Sequence, residues 1–366
     1  MLFLLITAVV IAIAVYLFML HPKFGAAPSG QRLEKIKTSP NFKNGSFVNR
    51  SFTPQLTEGY SMTKILIDFL FRKSPLTSPK GTIPSVKTDI KNLPQGDFLV
   101  WFGHSSYFLQ VNGFKLLVDP VFSGNASPIP GSTKAFKGSD AYTADDLPEI
   151  DYLFISHDHY DHLDYETIIK LKDKVKKVIC GLGVGAHLEH WGFNASNIIE
   201  MDWNEEIQLA NDTKVYGLTT RHFSGRSFKR DQTLWMAYLL ETPNLKIFIG
   251  GDGGYDHHFK EIGDKFGPID LAILENGQYN EAWRAIHFLP GENLQAAIEL
   301  KAKRLMPVHS GKFDLAMHPW DEPLSFMTKL NEKTGIPLVT PIIGELVDVN
   351  NPNQVFSQWW KEVDKK

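Results

Sequence analysis

At 366 residues, 43% of them hydrophobic and 22% charged, the chain is long enough to bury a proper core and too ordinary in composition to be disordered. A net charge of −3 and a pI near 6.5 leave no basic footprint, so no nucleic-acid partner is expected. The single cysteine, Cys180, excludes an intrachain disulfide and a thiolate metal cluster. Met1 to Leu20 is an almost unbroken apolar run, relieved only by Thr7. At about 1.5 Å per residue, a helix of this length spans roughly 30 Å, the thickness of a bilayer core. A cleaved signal peptide fits less well, because no Lys or Arg precedes the run and Pro28 directly follows Gly25-Ala26-Ala27. Residues 1–21 are therefore expected to form an uncleaved transmembrane anchor. Lys23, Arg32, Lys35 and Lys37 all lie after it, and the positive-inside rule puts them and the main domain in the cytoplasm.

Residues 22–95 are rich in Ser, Thr, Pro, Gly and Lys and read as a linker and loosely structured N-terminal extension. Within them, residues 62–71 have the pattern of a short amphipathic helix, suited to packing on the main domain or to lying on a membrane. The main domain is expected over residues 96–350. Tyr107–Val111 and Phe114–Val118 flank Asn112-Gly113, a strong hairpin signal. Tyr152–Ile155 reads as a buried strand, followed by a helix from Tyr165 to Lys172 and a strand over Lys177–Cys180. Hairpins follow around Asn211-Asp212 and between Trp235–Glu241 and Lys246–Ile249. Strand Leu271–Leu274, a helix from Glu292 to Lys303 and strand Leu305–Val308 complete the pattern. Hairpins followed by strand–helix alternation, twice over, predict two face-to-face sheets with helices outside. The tail, 351–366, contains Trp359-Trp360, for which packing on the domain, lipid contact and joining two subunits of a homodimer all fit.

The chemistry concentrates at His157-Asp158-His159-Tyr160-Asp161-His162, directly after the apolar strand. Three imidazoles with carboxylates among them, within six residues, are costly to bury unless they bind something, and both groups are good ligands for zinc, iron or manganese. Further candidates stand at later strand ends: His222 after Val215–Arg221, Asp252 after Ile247–Gly251, and His309 after Met306–Val308.

In this order, the residues resemble the metal motif of the metallo-β-lactamase superfamily. The segments Trp101–Ser105, Val118–Phe122, Ile155–Asp164, Gly251–Tyr255 and Phe266–Leu271 look like the branch of N-acyl phosphatidylethanolamine-hydrolysing phospholipases D. The resemblance covers roughly Phe98 to Val347. It implies an α/β fold, the metallo-β-lactamase αββα sandwich of two mixed β-sheets flanked by helices. It further implies two zinc ions, with iron or manganese also suited to an all-His/Asp site. His157, His159 and His222 would hold one ion; Asp161, His162 and His309 would hold the other, with Asp252 bridging. The implied activity is phosphodiester hydrolysis of N-acyl phosphatidylethanolamine-like phospholipids at a membrane, through a metal-bridging hydroxide and with Asp161 in the catalytic set. His287 falls where the family carries a further active-site histidine, as phosphate contact or leaving-group acid. His104 and Asp119 are expected to support the ligands from behind. No metal role is assigned to Asp158, Tyr160, His187, His190, His257, His258 or His318. Arg226, in Phe223–Ser227, is read as a phosphate-binding or solvated cation at the site's mouth, and the polar loop Glu275–Glu281 fits an acyl-chain site poorly. A hydrolase of a soluble lactone or cyclic phosphate ester is the alternative reading.

Overall fold

The computed structural model describes residues 1–71 and 74–365. Helix α1 (Leu2–Met19) has a mean hydropathy of 2.9 and no buried residue, so by length and composition it can cross a membrane. Helix α2 (Gly30–Thr38), a short hairpin of β1 (Phe42–Lys43) and β2 (Ser46–Phe47), and helix α3 (Met62–Phe71) follow.

Strands β3 (Phe98–Trp101), β4 (Tyr107–Val111) and β5 (Phe114–Val118) form an antiparallel meander, with β4 and β5 joined at Asn112-Gly113. Asn112 and Gly113 both take positive φ, 49° and 83°, as a tight hairpin requires. From β5 the sheet continues in parallel through β6 (Ile150–Ile155), β7 (Val175–Gly181) and β8 (Ile198–Met201), with α4 (Tyr165–Leu171) and α5 (Val184–His190) in the connections. The second sheet begins with β9 (Glu206–Gln208), β10 (Lys214–Leu218), β11 (Ala237–Glu241) and β12 (Lys246–Ile249), all antiparallel. Helix α6 (His258–Phe266) leads to β13 (Leu271–Glu275), and α7 (Glu292–Glu299) leads to β14 (Leu305–Val308), both strands pairing in parallel. Helix α7 stops short of Lys303 because Lys301 turns to φ 54°, outside the right-handed helical region. Helix α8 (Glu322–Asn331) and the edge strand β15 (Leu346–Asp348) complete a seven-stranded and a six-stranded mixed sheet.

The apolar strands have two buried faces. Ile247 and Ile249 of β12 face the first sheet together with Tyr238 of β11, whose ring meets Phe154 of β6. Phe248, between them, turns the other way onto Phe259 and Ile262 of α6. Alternating side chains therefore serve two cores, which is why these strands lack polar alternation.

The structure corrects the expectation for the extension and, for the tail, matches the alternative of packing on the domain. The extension is not a loose lead-in: Phe24, Ile36, Phe47, Ile83 and Ile90 are all buried, and Arg32 pairs with Glu189 and Glu200 at 2.6 Å. Scattered apolar residues, spaced too widely to show a period, are enough to pin it. The tail lies on the same chain, with Trp359 against Trp101 and Trp320 and the Asp364 carboxylate accepting from the backbone N–H groups of Lys80 and Gly81. Lys366 lies outside the described residues.

Candidate metal centre

Strands β3, β5, β6, β10, β12, β13 and β14 run in register with their C-terminal ends toward one edge of the sandwich, and the candidate residues follow those ends. The backbone must turn abruptly there. His104, Asp119 and His309 adopt φ of 53°, 40° and 66°, an uncommon region for residues with a Cβ. Gly251 also has positive φ, and a Cβ on it would lie 2.8 Å from the Met236 carbonyl oxygen and 2.9 Å from Cβ of Ser156. Only glycine lets this turn approach the first sheet.

Three imidazoles converge on one side: Nδ1 of His159 lies 2.9 Å from Nε2 of His157 and 3.3 Å from Nε2 of His222. On the other, Nε2 of His162 lies 3.1 Å from Asp252 Oδ2 and 3.6 Å from Asp161 Oδ2, and Nδ1 of His309 lies 3.2 Å from Asp252 Oδ1. Nε2 of His157 lies 3.9 Å and Nε2 of His222 4.0 Å from the Asp252 carboxylate, which stands between the groups. The structure thus brings together His157, His159 and His222, and beside them Asp161, His162, Asp252 and His309.

The far nitrogens of three of these imidazoles are held from behind. Nδ1 of His162 faces Asp119 at 2.8 Å, Nδ1 of His157 faces Ser156 Oγ at 2.9 Å, and Nδ1 of His222 faces the Ile286 carbonyl at 2.9 Å. Asp119 also accepts the Ser156 backbone N–H at 2.8 Å. His104 supports Asp161, with Nε2 2.9 Å from its Oδ2. Burial, with the neighbouring imidazoles, pushes His157 and His222 well below the usual histidine range, and burial does the same to His309. Burial also disfavours a charged His162, but Asp252 and Asp161 outweigh it and raise that group. The same contact holds Asp252 well below the carboxylate range despite its burial.

His287 stands next to this cluster, its ring 5.1 Å from that of His222 and 5.3 Å from that of His309. Its Nδ1 is 2.7 Å from Oε2 of Glu275, the last residue of β13. Burial opposes charge on both partners; Glu275 is raised to about 7, while its attraction raises His287 to about 9. Sequence reading missed Glu275 as a site residue, although its position at a strand end is the same signal that marks Asp252 and His309. It also missed Ser105, whose Oγ lies 3.0 Å from His309 Nδ1.

The residues given no metal role point elsewhere. Asp158 turns back to the Gly225 N–H, His187 and Thr233, and the hydroxyl of Tyr160 donates to the Arg226 carbonyl. His318 accepts the Gln278 N–H at 2.8 Å, His258 packs on Phe259, and His190 and His257 are exposed. Arg226 requires a correction. It is 4% exposed, donates to the carbonyls of Asp158, Leu163 and Lys23, and stacks on Tyr160, so it is neither solvated nor free for phosphate. Glu275 at the end of β13 and Asn276 and Gln278 just after it accept from the Phe288 N–H, the Asn293 side-chain amide and the Leu315 N–H, and the cavity beside them has a largely apolar wall.

That cavity, about 280 Å³, is lined by His159, Asp161, Asp252, His287 and His309, by the apolar residues Leu56, Met62, Ile65, Phe223, Trp283, Ile286 and Leu315, and by Gln55, Arg230 and Gln278. The model of the beta-lactamase superfamily domain matches residues 115–310, more than half of the chain. The chain belongs to the metallo-β-lactamase superfamily. Within it, this superfamily member is 36% identical to an uncharacterized protein of Mycobacterium tuberculosis over 330 residues, 88% of each chain. It is 26% identical to N-acyl-phosphatidylethanolamine-hydrolyzing phospholipase D 1 of Caenorhabditis elegans over 296 residues, 74% of this chain and 82% of the relative. Among solved structures, the metallo hydrolase Igni18 of Ignicoccus hospitalis superposes with a TM-score of 0.54 at 19% identity, over 69% of this chain and 97% of that one. CmlA, a diiron β-hydroxylase of Streptomyces venezuelae, gives 0.55 at 19% identity, over 70% and 55%. These two share the fold.

The superfamily protein is accordingly a metal-dependent hydrolase, and its donor set fits a divalent cation. Nε2 of His162 and Oδ1 of Asp252 are buried without a well-directed hydrogen bond, although each has an opposite group within 3.2 Å. Buried polar atoms left this way are costly unless a further partner occupies the space between them.

Proposed function

We propose that this protein is a membrane-tethered phosphodiesterase of phospholipase D type acting on N-acyl phosphatidylethanolamine-like lipids. The observation that carries the proposal is the apolar wall formed by Leu56, Met62, Ile65, Trp283, Ile286 and Leu315 directly beside the His/Asp cluster. A soluble lactone or cyclic phosphate ester would call for a small, enclosed polar pocket. Helix α3 supplies Met62 and Ile65 to this wall and leaves Leu66, Ile67 and Phe71 exposed. It thus packs on the domain while keeping an apolar surface at the mouth.

In this reading residues 1–21 anchor the chain, residues 96–350 form the catalytic domain, and that domain lies on the cytoplasmic side. His157, His159 and His222 would hold one zinc ion, and Asp161, His162 and His309 a second, with Asp252 between them. Two such ions supply Lewis acidity, easing deprotonation of water and offsetting charge on phosphoryl oxygens. The chain's own groups do the rest. Asp119, Ser156 and the Ile286 carbonyl keep the imidazoles turned inward, and His104 holds the Asp161 carboxylate in the catalytic set. His287, protonated through its contact with Glu275, presents Nε2 to the cavity, where it steadies a phosphoryl oxygen and delivers a proton to the departing alcohol. Water adds to phosphorus as the bond to the head-group oxygen breaks, releasing phosphatidic acid and the acylated ethanolamine.

The test is head-group release from N-acyl phosphatidylethanolamine vesicles by purified full-length protein of measured metal content, beside a soluble phosphodiester and a His159→Ala control. Lipid turnover lost in the variant supports the proposal. Full metal loading with cleavage of the soluble ester alone would reject the lipid substrate.

A further inference from the structure

The loop carrying His222 leaves the second sheet after Leu218, so the backbone amide and carbonyl of His222 have no strand neighbour. Both are nonetheless bonded, and by one side chain. Oδ1 of Asn49 accepts the His222 N–H at 3.2 Å, and Nδ2 of Asn49 donates to the His222 carbonyl at 2.7 Å. The amide thus reproduces on one residue the donor–acceptor pair of an adjoining strand. Its orientation is set from a third side, because Trp235 Nε1 donates to the same Oδ1 at 3.0 Å. Asn49 comes from far outside the matched region, residues 115–310, and its segment also contacts the residue before His222. The Arg221 guanidinium donates to Thr53 Oγ1 at 3.0 Å and to the Phe52 carbonyl at 2.7 Å, and Phe47, two residues before Asn49, is 2% exposed in the core.

We propose that Asn49 is a positioning residue of the metal centre: it fixes the His222 backbone so that, with Nδ1 held by the Ile286 carbonyl, Nε2 can point only toward His157 and His159. The inference rests on the reading of His222 as a metal ligand. Among side chains, only an amide offers a donor and an acceptor side by side at this reach. Aspartate retains the acceptor and sets a second oxygen against the His222 carbonyl; alanine loses both bonds. The N-terminal extension is then a working part of the site rather than a tether between anchor and domain.

The experiment uses the full-length protein in detergent and its variants Asn49→Ala, Asn49→Asp and Thr88→Val. Thr88→Val removes another bond between the extension and the domain, the 2.6 Å contact of Thr88 Oγ1 with the Gly344 carbonyl, away from the cluster. Competition with a chromophoric chelator for Zn²⁺ reports affinity, and the visible absorption of the Co²⁺-loaded protein reports ligand geometry. The expected result is a loss of roughly tenfold or more in Zn²⁺ affinity and an altered Co²⁺ spectrum for both Asn49 variants, with Thr88→Val unchanged in both. Wild-type affinity and spectrum in Asn49→Ala, or equal losses in Thr88→Val, overturn the inference. Should Asn49→Ala not fold, the same comparison on Asn49→Asp decides it. A wild-type protein that takes up no metal would instead reject the reading of the centre itself.

Discussion

Oδ2 of Asp119 lies 2.8 Å from Nδ1 of His162, and this contact leaves only Nε2 of that ring to face Asp252 and Asp161. A carboxylate behind an imidazole both selects the tautomer and makes the exposed nitrogen a better donor to a cation. Asp119→Ala is expected to weaken metal binding by about 10–100-fold. Asp119→Asn, which keeps the shape and loses the charge, should fall between. Chelator competition on the folded variants measures this, and an unchanged Asp119→Ala curve would show that His162 needs no such support.

His287 and Glu275 form a pair directly beside the proposed ligands, with donor atoms within 4.8 Å of those of Asp252 and His309. His287→Ala is expected to lower lipid turnover by about 100-fold or more, the usual worth of a general acid, while leaving metal content intact. Glu275→Gln should reproduce part of the loss, because the imidazole then lacks the carboxylate that keeps it protonated. Turnover measured beside metal analysis separates this from ligand loss. A fully active His287→Ala would remove His287 from the mechanism.

Leu66, Ile67 and Phe71 are 56%, 44% and 80% exposed on α3, next to the wall that Met62 and Ile65 contribute. Leu66→Asp combined with Phe71→Asp is expected to reduce turnover of vesicle substrate about tenfold, since both changes remove apolar contact with the interface. Hydrolysis of a monomeric, detergent-dispersed substrate should stay within twofold. Equal losses on both substrates would mean that α3 serves the fold alone.

Chelation should destabilise the folded protein. Removing cations from a buried set of histidines and carboxylates leaves atoms such as His162 Nε2 and Asp252 Oδ1 without a well-directed hydrogen bond, at about 1–3 kcal/mol each. A fall of several degrees in melting temperature with EDTA, reversed by Zn²⁺, is the expected outcome. An identical melting curve with and without chelator would speak against a bound metal.

His258 makes stability depend on pH away from the site. Burial lowers it to about 4, against a model-peptide value of 6.5, with Asp256 and Glu261 favouring charge and Arg50 and His257 opposing it. The unfolded chain therefore takes up a proton below about pH 6.5 while the folded chain resists until about pH 4, so this contribution is complete above the first value and is lost as pH falls toward the second. The full shift corresponds to about 3 kcal/mol. His258→Met should therefore gain on the wild type in denaturant unfolding as pH drops from 6.5 to 4.5, in metal-free protein. Parallel stability curves would contradict it.

Much of this protein is written locally. The run at 1–20, the Asn112-Gly113 turn, the apolar strands and the spacing of His157, His159, Asp161 and His162 each depend on neighbouring residues, and short-range chemistry is what a sequence displays. That His222, Asp252 and His309 sit after strands could also be read, because period and strand-end position are local. What lay beyond reach were pairings between distant residues. Glu275 and Arg226 look alike in sequence as polar residues near a predicted mouth, yet one turns into the site beside His287 and the other is sealed under Lys23. Asn49 lies 173 positions from His222, and the extension that carries it lacks the periodicity that would announce packing. The tail's tryptophans could be placed only once Trp101 and Trp320 were seen beside them. The donors of the site are thus a matter of residue chemistry, while their support from behind comes from segments that meet only when both sheets close on a common core.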